Sequence, residues 1–316
     1  MNIVFMGTPD FSVPLLEALH ERYTIKLVVT QPDMPKGRKR ILTAPPIKEK
    51  AEALGLDVYQ PASIKQAYQP ILDASPDIIV TAAYGQIIPD VLLETPPHKA
   101  INVHASLLPA LRGGAPIQRA IERRHKETGI TIMRMAKKMD AGDILIQRTL
   151  TIREDETGSS LFNRLSHLAK DLLIDSLPKI IDGTLTPSPQ NHEEATYAYT
   201  LKREEERLDF NQSVLDLDAK IRAFYETPNT YTTINGQKLK VIKARIHTCS
   251  NFLKNHAEEA NGTVIKTLDD GVVIKCSDGA LVLTRVQLAG KKPMTASEFM
   301  RGLGKRLLDK GVVLGN

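Results

Sequence analysis

The sequence predicts an α/β fold built on a mostly parallel sheet and followed by a small OB-like β-barrel, and three observations lead there. Four short apolar runs, NIVFMG (2–7), IKLVVT (25–30), DIIVTAAYG (77–85) and AINVHAS (100–106), alternate with helical patterns such as VPLLEALHERY and PIKEKAEALG. Strands that alternate with helices form βαβ units, which imply a parallel sheet covered on both faces. Beyond residue 210 the pattern changes to short alternating strands interrupted by Asn235-Gly236, Asp270-Gly271 and Asp278-Gly279, dipeptides suited to tight hairpins. Finally, 316 residues exceed the usual size of one domain, so the change of pattern reads as a boundary.

Taken in order, the first strand runs into GTPDFS rather than G-x-G-x-x-G, so the dinucleotide fingerprint is missing and no NAD or FAD site is expected. A long amphipathic helix is predicted over 159–181, with Leu161, Leu165, Leu168 and Leu172 at helical spacing and Gly183 to end it; such a stripe faces a core. The polar, proline-bearing stretch 184–210 reads as connecting chain. The expected division is 1–190 as the catalytic domain, 191–207 as linker and 208–316 as the second domain. That last part opens with a helix over VLDLDAKIRAFYE and continues with TYTTINGQKLKVIKARI and GTVIKTLDDGVVIKCSDGALVLTRVQL. Five or so short strands in this span suggest a small barrel, for which the OB-fold is the common basic form.

Charge is unevenly placed. The net charge is +5, yet residues 1–207 hold 26 basic and 26 acidic side chains, while 208–316 hold 16 and 11. A neutral front and a basic tail suggest a catalytic domain followed by a surface that meets a polyanion. Cys249 and Cys276 stand alone, with no CxxC or Cys/His cluster, which points to neither a disulfide framework nor a metal site. The longest apolar runs are too short to span a bilayer, and MNIVFMGTPDF enters a strand without a basic n-region; a cytoplasmic protein without a membrane partner is expected.

The chemistry is expected at INVHASLLPALRGGAPIQ (101–118). Side chains alternate faces along a strand, so Asn102 and His104 point the same way at the strand's carboxyl end, where open α/β sheets hold their ligands. An imidazole can carry a proton and a carboxamide can donate hydrogen bonds without titrating. Acyl transfer needs both, because its tetrahedral intermediate requires donors at the oxyanion and a route for the amine's proton. Asp140 in MDAGDIL is the candidate carboxylate to orient the histidine, with Gly142 allowing a sharp bend. Each feature alone has an ordinary structural account: a satisfied histidine, a common turn.

A second cluster, Lys36, Gly37, Arg38, Lys39 and Arg40, places four cations in five positions. Such cations repel one another and suit either solvent or a phosphate backbone. In the tail, Lys238, Lys240, Lys243 and Arg245 fall at nearly alternating positions, with Lys291 and Lys292 beyond. They could contact phosphates or simply be solvated edge charges.

The string N-x-H-x-S-L-L-P-x-x-R-G, here Asn102, His104, Ser106, Leu107, Leu108, Pro109, Arg112 and Gly113, followed by D-x-G-D at 140–143, resembles the folate-dependent formyltransferases. Agreement continues in GTPDF, QPDMPKGRKR, AAYGQIIP, GAPIQRAI, ETGITIM and IRAF. The resemblance covers nearly the whole chain and is nearest to the members that act on initiator tRNA. It implies a Rossmann-like formyltransferase domain, an OB-like tRNA-binding domain, and formyl transfer from 10-formyltetrahydrofolate to the α-amino group of methionyl initiator tRNA. It implies Asn102, His104 and Asp140 as the catalytic trio, with no metal. It further implies folate contacts from Ser106, Leu107, Leu108, Pro109, Ala83, Tyr84 and Gly85, a tRNA grip by Lys36, Gly37, Arg38, Lys39 and Arg40, and a monomer. At Ala110 and Leu111 the chain departs from the family's commoner basic and aromatic pair, so no contact is carried over there. Formyl transfer to a small amine, such as glycinamide ribonucleotide or an amino-sugar nucleotide, and hydrolysis of the same folate are the rival chemistries. A noncatalytic RNA-binding module is the rival class.

Overall fold

In the computed structural model all residues except Arg38, Ser250 and Asn316 are described. The chain divides into two units, one of Met1–Pro116, Glu127–Thr151 and Phe162–Thr200, the other of Ile117–Lys126, Ile152–Leu161 and Leu201–Asn316. Among the described residues no helix is long and apolar enough to cross a membrane.

Among the described residues the first unit holds nine strands: β1 (Asn2–Gly7), β2 (Thr24–Val29), β3 (Met34–Lys36), β4 (Ile41–Thr43), β5 (Val58–Tyr59), β6 (Ile78–Ala82), β7 (Ala100–His104), β8 (Glu127–Arg134) and β9 (Ile144–Thr151). Seven form one sheet in the order β5-β2-β1-β6-β7-β8-β9, and β3 pairs only with β4 as a hairpin. From β5 to β7 the pairings are parallel, while β7–β8 and β8–β9 are antiparallel. The parallel strands carry continuous apolar runs because both faces are covered: every residue of β6 is buried. The four strands expected from sequence are all present, whereas β8 and β9 were not among them. β9 exposes alternate residues, as an edge strand does. Because β1 lies between β2 and β6, strand order reverses there, and such a reversal opens a crevice at the carboxyl ends.

The long helix spans Gly158–Ile181. Leu161, Leu165 and Leu172 of its stripe are buried and Leu168 is half-buried, and Gly183 follows with a left-handed φ of 76°. The segment expected to link the domains is different from free chain. Ser188 exchanges both backbone hydrogen bonds with Ile144, and Thr196 and Ala198 pair with Pro109, Arg112 and Ala115. Backbone pairing of this kind needs no apolar side chains, so polar composition disguised it. The first unit accordingly runs to Thr200, and residues 117–126 and 152–161 group with the second.

In the second unit β10 (Thr230–Ile234), β11 (Gln237–Ile246), β12 (Val264–Leu268), β13 (Gly271–Lys275), β14 (Ala280–Leu288) and β15 (Met294–Thr295) form an antiparallel sheet along β10-β11-β14-β13-β12, with β15 on β14. Asn235 and Gly236 have φ values of 47° and 71°, the primed turn that their sequence predicts between β10 and β11. The turn into β13 is Asp269-Asp270 rather than Asp270-Gly271, since Leu268 pairs with Gly271. Gly271 is instead a packing position, where a Cβ would sit 2.5 Å from the Leu283 carbonyl oxygen. β13 packs both faces: Val272 and Ile274 join the larger core with Leu217 and Leu283, and Val273 joins Phe252, Ile265 and Val282.

Candidate active site

Asn102 and His104 lie on β7 with the alternation expected, His104 being 6% exposed. Register places Thr81 of β6 opposite Asn102, and the Thr81 hydroxyl donates to Asn102 Oδ1 at 2.8 Å. The same hydroxyl has the Ile101 carbonyl within reach at 3.0 Å, so the flip of the carboxamide is fixed by Asp140, whose Oδ1 only accepts and lies 3.4 Å from Nδ2. His104 Nε2 sits 3.0 Å from the Leu111 carbonyl oxygen. A carbonyl only accepts, so Nε2 carries a hydrogen and the Nδ1 edge faces Asp140 Oδ2 at 3.8 Å. The structure therefore brings all three trio residues together. Leu111, where the chain departs from its relatives, contributes through its backbone.

Asp140 is held by the loop that follows β7. Its Oδ2 accepts the Gly113 amide at 2.9 Å. Gly113 has φ 120°, and a Cβ there would lie 2.8 Å from the Ala198 carbonyl oxygen, so only glycine can aim this amide. Asp140 adopts a left-handed φ of 49°, which aspartate tolerates better than most residues. Any side chain at Gly142 would land on the Arg134 carbonyl. Gln190 closes the turn from outside by donating to the carbonyls of Asp140 at 3.0 Å and Gly142 at 2.7 Å. Its own Oε1 accepts from Arg112 Nε at 3.1 Å and Nη2 at 2.6 Å.

The 106–109 loop is tied down by polar contacts. Ser106 Oγ donates to the Ala110 carbonyl at 2.6 Å, Thr131 Oγ1 donates to that of Ser106 at 2.7 Å, and Gln147 Nε2 donates to that of Leu108 at 2.8 Å. Ser106 and Leu108 are buried, whereas Leu107 and Pro109 keep partial exposure. Leu107 and Pro109 are thus the side chains of this loop with surface left to offer. At 83–85, Ala83 and Gly85 are exposed with φ 50° and 93°. The Tyr84 ring is turned inward. It is buried in the core with Ile64, Ile79 and Leu92, and burial, with Tyr59 second, pushes its phenol up to about 12. Only its backbone remains near the surface segment, its carbonyl accepting from Thr8 Oγ1 at 2.8 Å and Gln31 Nε2 at 3.0 Å.

The basic cluster forms the tip of the β3–β4 hairpin, with Gly37 at φ 70° and Arg40 at φ 49°. Lys36, Gly37, Lys39 and Arg40 are exposed; Arg38 lies outside the described residues. The hairpin also exposes Met34, Ile41 and Leu42 at 63%, 62% and 65%. In the second unit Lys238 pairs with Glu206 at 3.3 Å and lies over the Tyr231 ring at 3.6 Å, Lys243 lies 5.0 Å over Tyr225, and Arg245 grips Asp270 at 2.8 and 3.0 Å. Of that row, Lys240 alone has neither an ion pair nor a ring contact among the described residues.

Sequence reasoning passed over Thr81 and Gln190. Thr81 sits in an apolar strand that reads as core, and Gln190 in a polar tract with no period, so neither carried a chemical signal. Among the described residues no group of three or more His, Cys, Asp or Glu is arranged to hold a metal ion.

Comparison with known proteins agrees with this geometry. Residues 1–177 match the family model described as formyl transferase, and residues 200–304 match its C-terminal domain. The chain is 47% identical to methionyl-tRNA formyltransferase of Geobacillus thermodenitrificans over 97% of its own length and 95% of that protein. Among solved structures, methionyl-tRNA formyltransferase from Clostridium thermocellum superposes with a TM-score of 0.55 at 19% identity, over 78% of this chain and 94% of that one. HypX from Aquifex aeolicus in complex with tetrahydrofolic acid superposes with a TM-score of 0.66 at 18% identity over 96% of this chain, which spans about half of HypX, 48% of that chain. At such identities the two structures speak for the fold. The family model and the 47% relative go further, and the chain belongs to the formyl transferase family.

Proposed function

We propose that this protein transfers the formyl group of 10-formyltetrahydrofolate to the α-amino group of methionine carried by initiator tRNA. The observation that carries the reading is the convergence of Asn102, His104 and Asp140 on one another in a chain nearly half identical, end to end, to a methionyl-tRNA formyltransferase. The amine nitrogen attacks the formyl carbon, and the carbonyl electrons move to oxygen. The new C–N bond forms, the bond to N10 breaks, and the amine's proton ends on N10. Asn102 is suited to the oxyanion, because one Nδ2 hydrogen is turned to Asp140 and the other is uncommitted among the described residues. His104 assists as imidazolium, its Nδ1 edge facing the Asp140 carboxylate. Asp140 orients that ring and helps pass the proton along.

The folate is assigned to Leu107, Pro109, Ala83 and Gly85, which keep exposed surface in the loops that follow the neighbouring parallel strands β7 and β6. Ser106, Leu108 and Tyr84 have buried side chains and serve the folate through the backbone they hold. The tRNA is met by Lys36, Arg38, Lys39 and Arg40, with Gly37 shaping the tip. A charged tRNA acceptor places the work in the cytoplasm, away from membranes, and the monomer implied by the resemblance is retained.

The test is product analysis. The purified protein is incubated with 10-formyltetrahydrofolate and initiator methionyl-tRNA, with glycinamide ribonucleotide and an amino-sugar nucleotide as competing acceptors. Formylmethionyl-tRNA is the expected product. Free formate, or formylation of a small acceptor in its place, would keep the formyl chemistry and overturn the acceptor.

A further inference from the structure

Outside the trio, one polar group contacts both the catalytic turn and a buried charge. Gln190 is 6% exposed and, apart from a long contact of Nε2 to Met133 Sδ at 3.9 Å, its hydrogen bonds run in two directions. Its Nε2 uses one hydrogen on the Asp140 carbonyl and one on the Gly142 carbonyl. Its Oε1 takes two from the guanidinium of Arg112, a fully buried side chain. Among the described residues Arg112 has no carboxylate against it; its other partner is His192 Nδ1, at 3.0 Å from Nη2, and its Nη1 is buried without a hydrogen bond. An unpaired buried cation costs several kcal/mol in general, so this arginine is an expensive anchor for one glutamine unless the arrangement does more than fill space.

The turn explains what it does. Asp140 holds a left-handed φ of 49°, and its carboxylate must meet both the Gly113 amide and the His104 ring. Gln190 grips the backbone on either side of Ala141, while Arg112 is the neighbour of Gly113, whose amide holds the Asp140 side chain. We propose that Gln190, polarised and oriented by Arg112, is a positioning residue for the reaction that sets the Asp140 turn against His104. A neutral carboxamide is the only side chain of this size that both donates to two carbonyls and accepts from a guanidinium. The inference deepens the formyl-transfer reading and rests on it.

Gln190→Glu separates the two directions. The carboxylate still accepts from Arg112, and it supplies the missing counter-charge, but it has no hydrogens for the Asp140 and Gly142 carbonyls. If Gln190 positions the turn, Gln190→Glu folds with an undiminished melting temperature and loses about 10- to 100-fold in kcat, the range expected for a displacement near 1 Å. KM for folate and for tRNA then changes less than about threefold, as befits a loss confined to the turnover step. In an Asp140→Ala background the same substitution produces no further loss, because both act through one carboxylate. Wild-type kcat in Gln190→Glu, or a full additional loss in the Asp140→Ala background, overturns the proposal. Hydrogen exchange at the amides of 139–143 gives a readout that needs no turnover. Faster exchange in Gln190→Glu supports the turn contact even if the wild-type protein formylates no tRNA, and unchanged exchange refutes it.

Discussion

The β3–β4 hairpin and strand β11 are both rich in cations, yet they use them in opposite ways. On β11, Lys238 and Arg245 meet Glu206 and Asp270, and Lys238 and Lys243 cover tyrosine rings. Arg245 accordingly holds the Asp270 carboxyl below the usual carboxylate range, chiefly by its hydrogen bonds. On the hairpin, Lys36, Lys39 and Arg40 have no ion pair among the described residues and stand beside exposed Met34, Ile41 and Leu42. A basic run satisfied by its own protein has little left for a polyanion, whereas an unsatisfied one releases counterions when phosphates arrive. Counting charge along the chain placed the whole excess in residues 208–316; the pairing of the side chains moves the expected contact to the hairpin.

The comparison breaks most easily at the hairpin. Replacing Lys36, Lys39 and Arg40 together by alanine is expected to raise KM for tRNA about 100-fold, consistent with the loss of two or three phosphate contacts, and to lower the slope of log affinity against log salt by about 2 to 3. KM for the folate donor stays as it was. Lys240→Ala, which removes the one β11 cation without an ion pair or ring contact, is expected to weaken tRNA binding only about two- to threefold, a single exposed phosphate contact at most. Lys238→Ala is expected to leave tRNA kinetics alone and to destabilise the second unit by about 0.5–1 kcal/mol through the lost ring contact and ion pair, read by chemical denaturation. Smallest of all, Arg245→Ala should move the Asp270 titration back up toward the ordinary carboxylate range, visible by NMR, because its largest lowering influence is gone. A loss of tRNA affinity on Lys238→Ala equal to that of the hairpin variant would erase the distinction between the two regions.

Legibility from sequence followed the same division between side chain and backbone. Asn102 and His104 were readable because spacing of two on an apolar strand sets both on one face, and Asp140 because its turn and the N-x-H string form a recognisable pair. The supports were not readable. The Gly113 amide and the Leu111 carbonyl are backbone groups whose partners lie far along the chain, and Gln190 sits in a tract whose polarity described a loop while its backbone was pairing with the first unit. At Tyr84 it is the backbone, not the ring, that is left to the surface segment. A tyrosine between Ala83 and Gly85 looks like a ligand contact, yet both neighbours have positive φ, and the chain turns so that the ring enters the core. Gly271 likewise resembled a turn glycine and proved to be one demanded by close strand packing.

The central claim is that chemistry resides in the trio while the hairpin only binds. It is tested most directly by the single-turnover rate of formyl transfer at saturating folate and saturating initiator methionyl-tRNA, with His104→Ala beside the triple hairpin variant. The account predicts that His104→Ala lowers this rate by about 10² to 10³, the usual range for a lost group that stabilises the oxyanion, while the hairpin variant retains the wild-type rate once saturated. A His104→Ala protein that transfers the formyl group at the wild-type rate would contradict it.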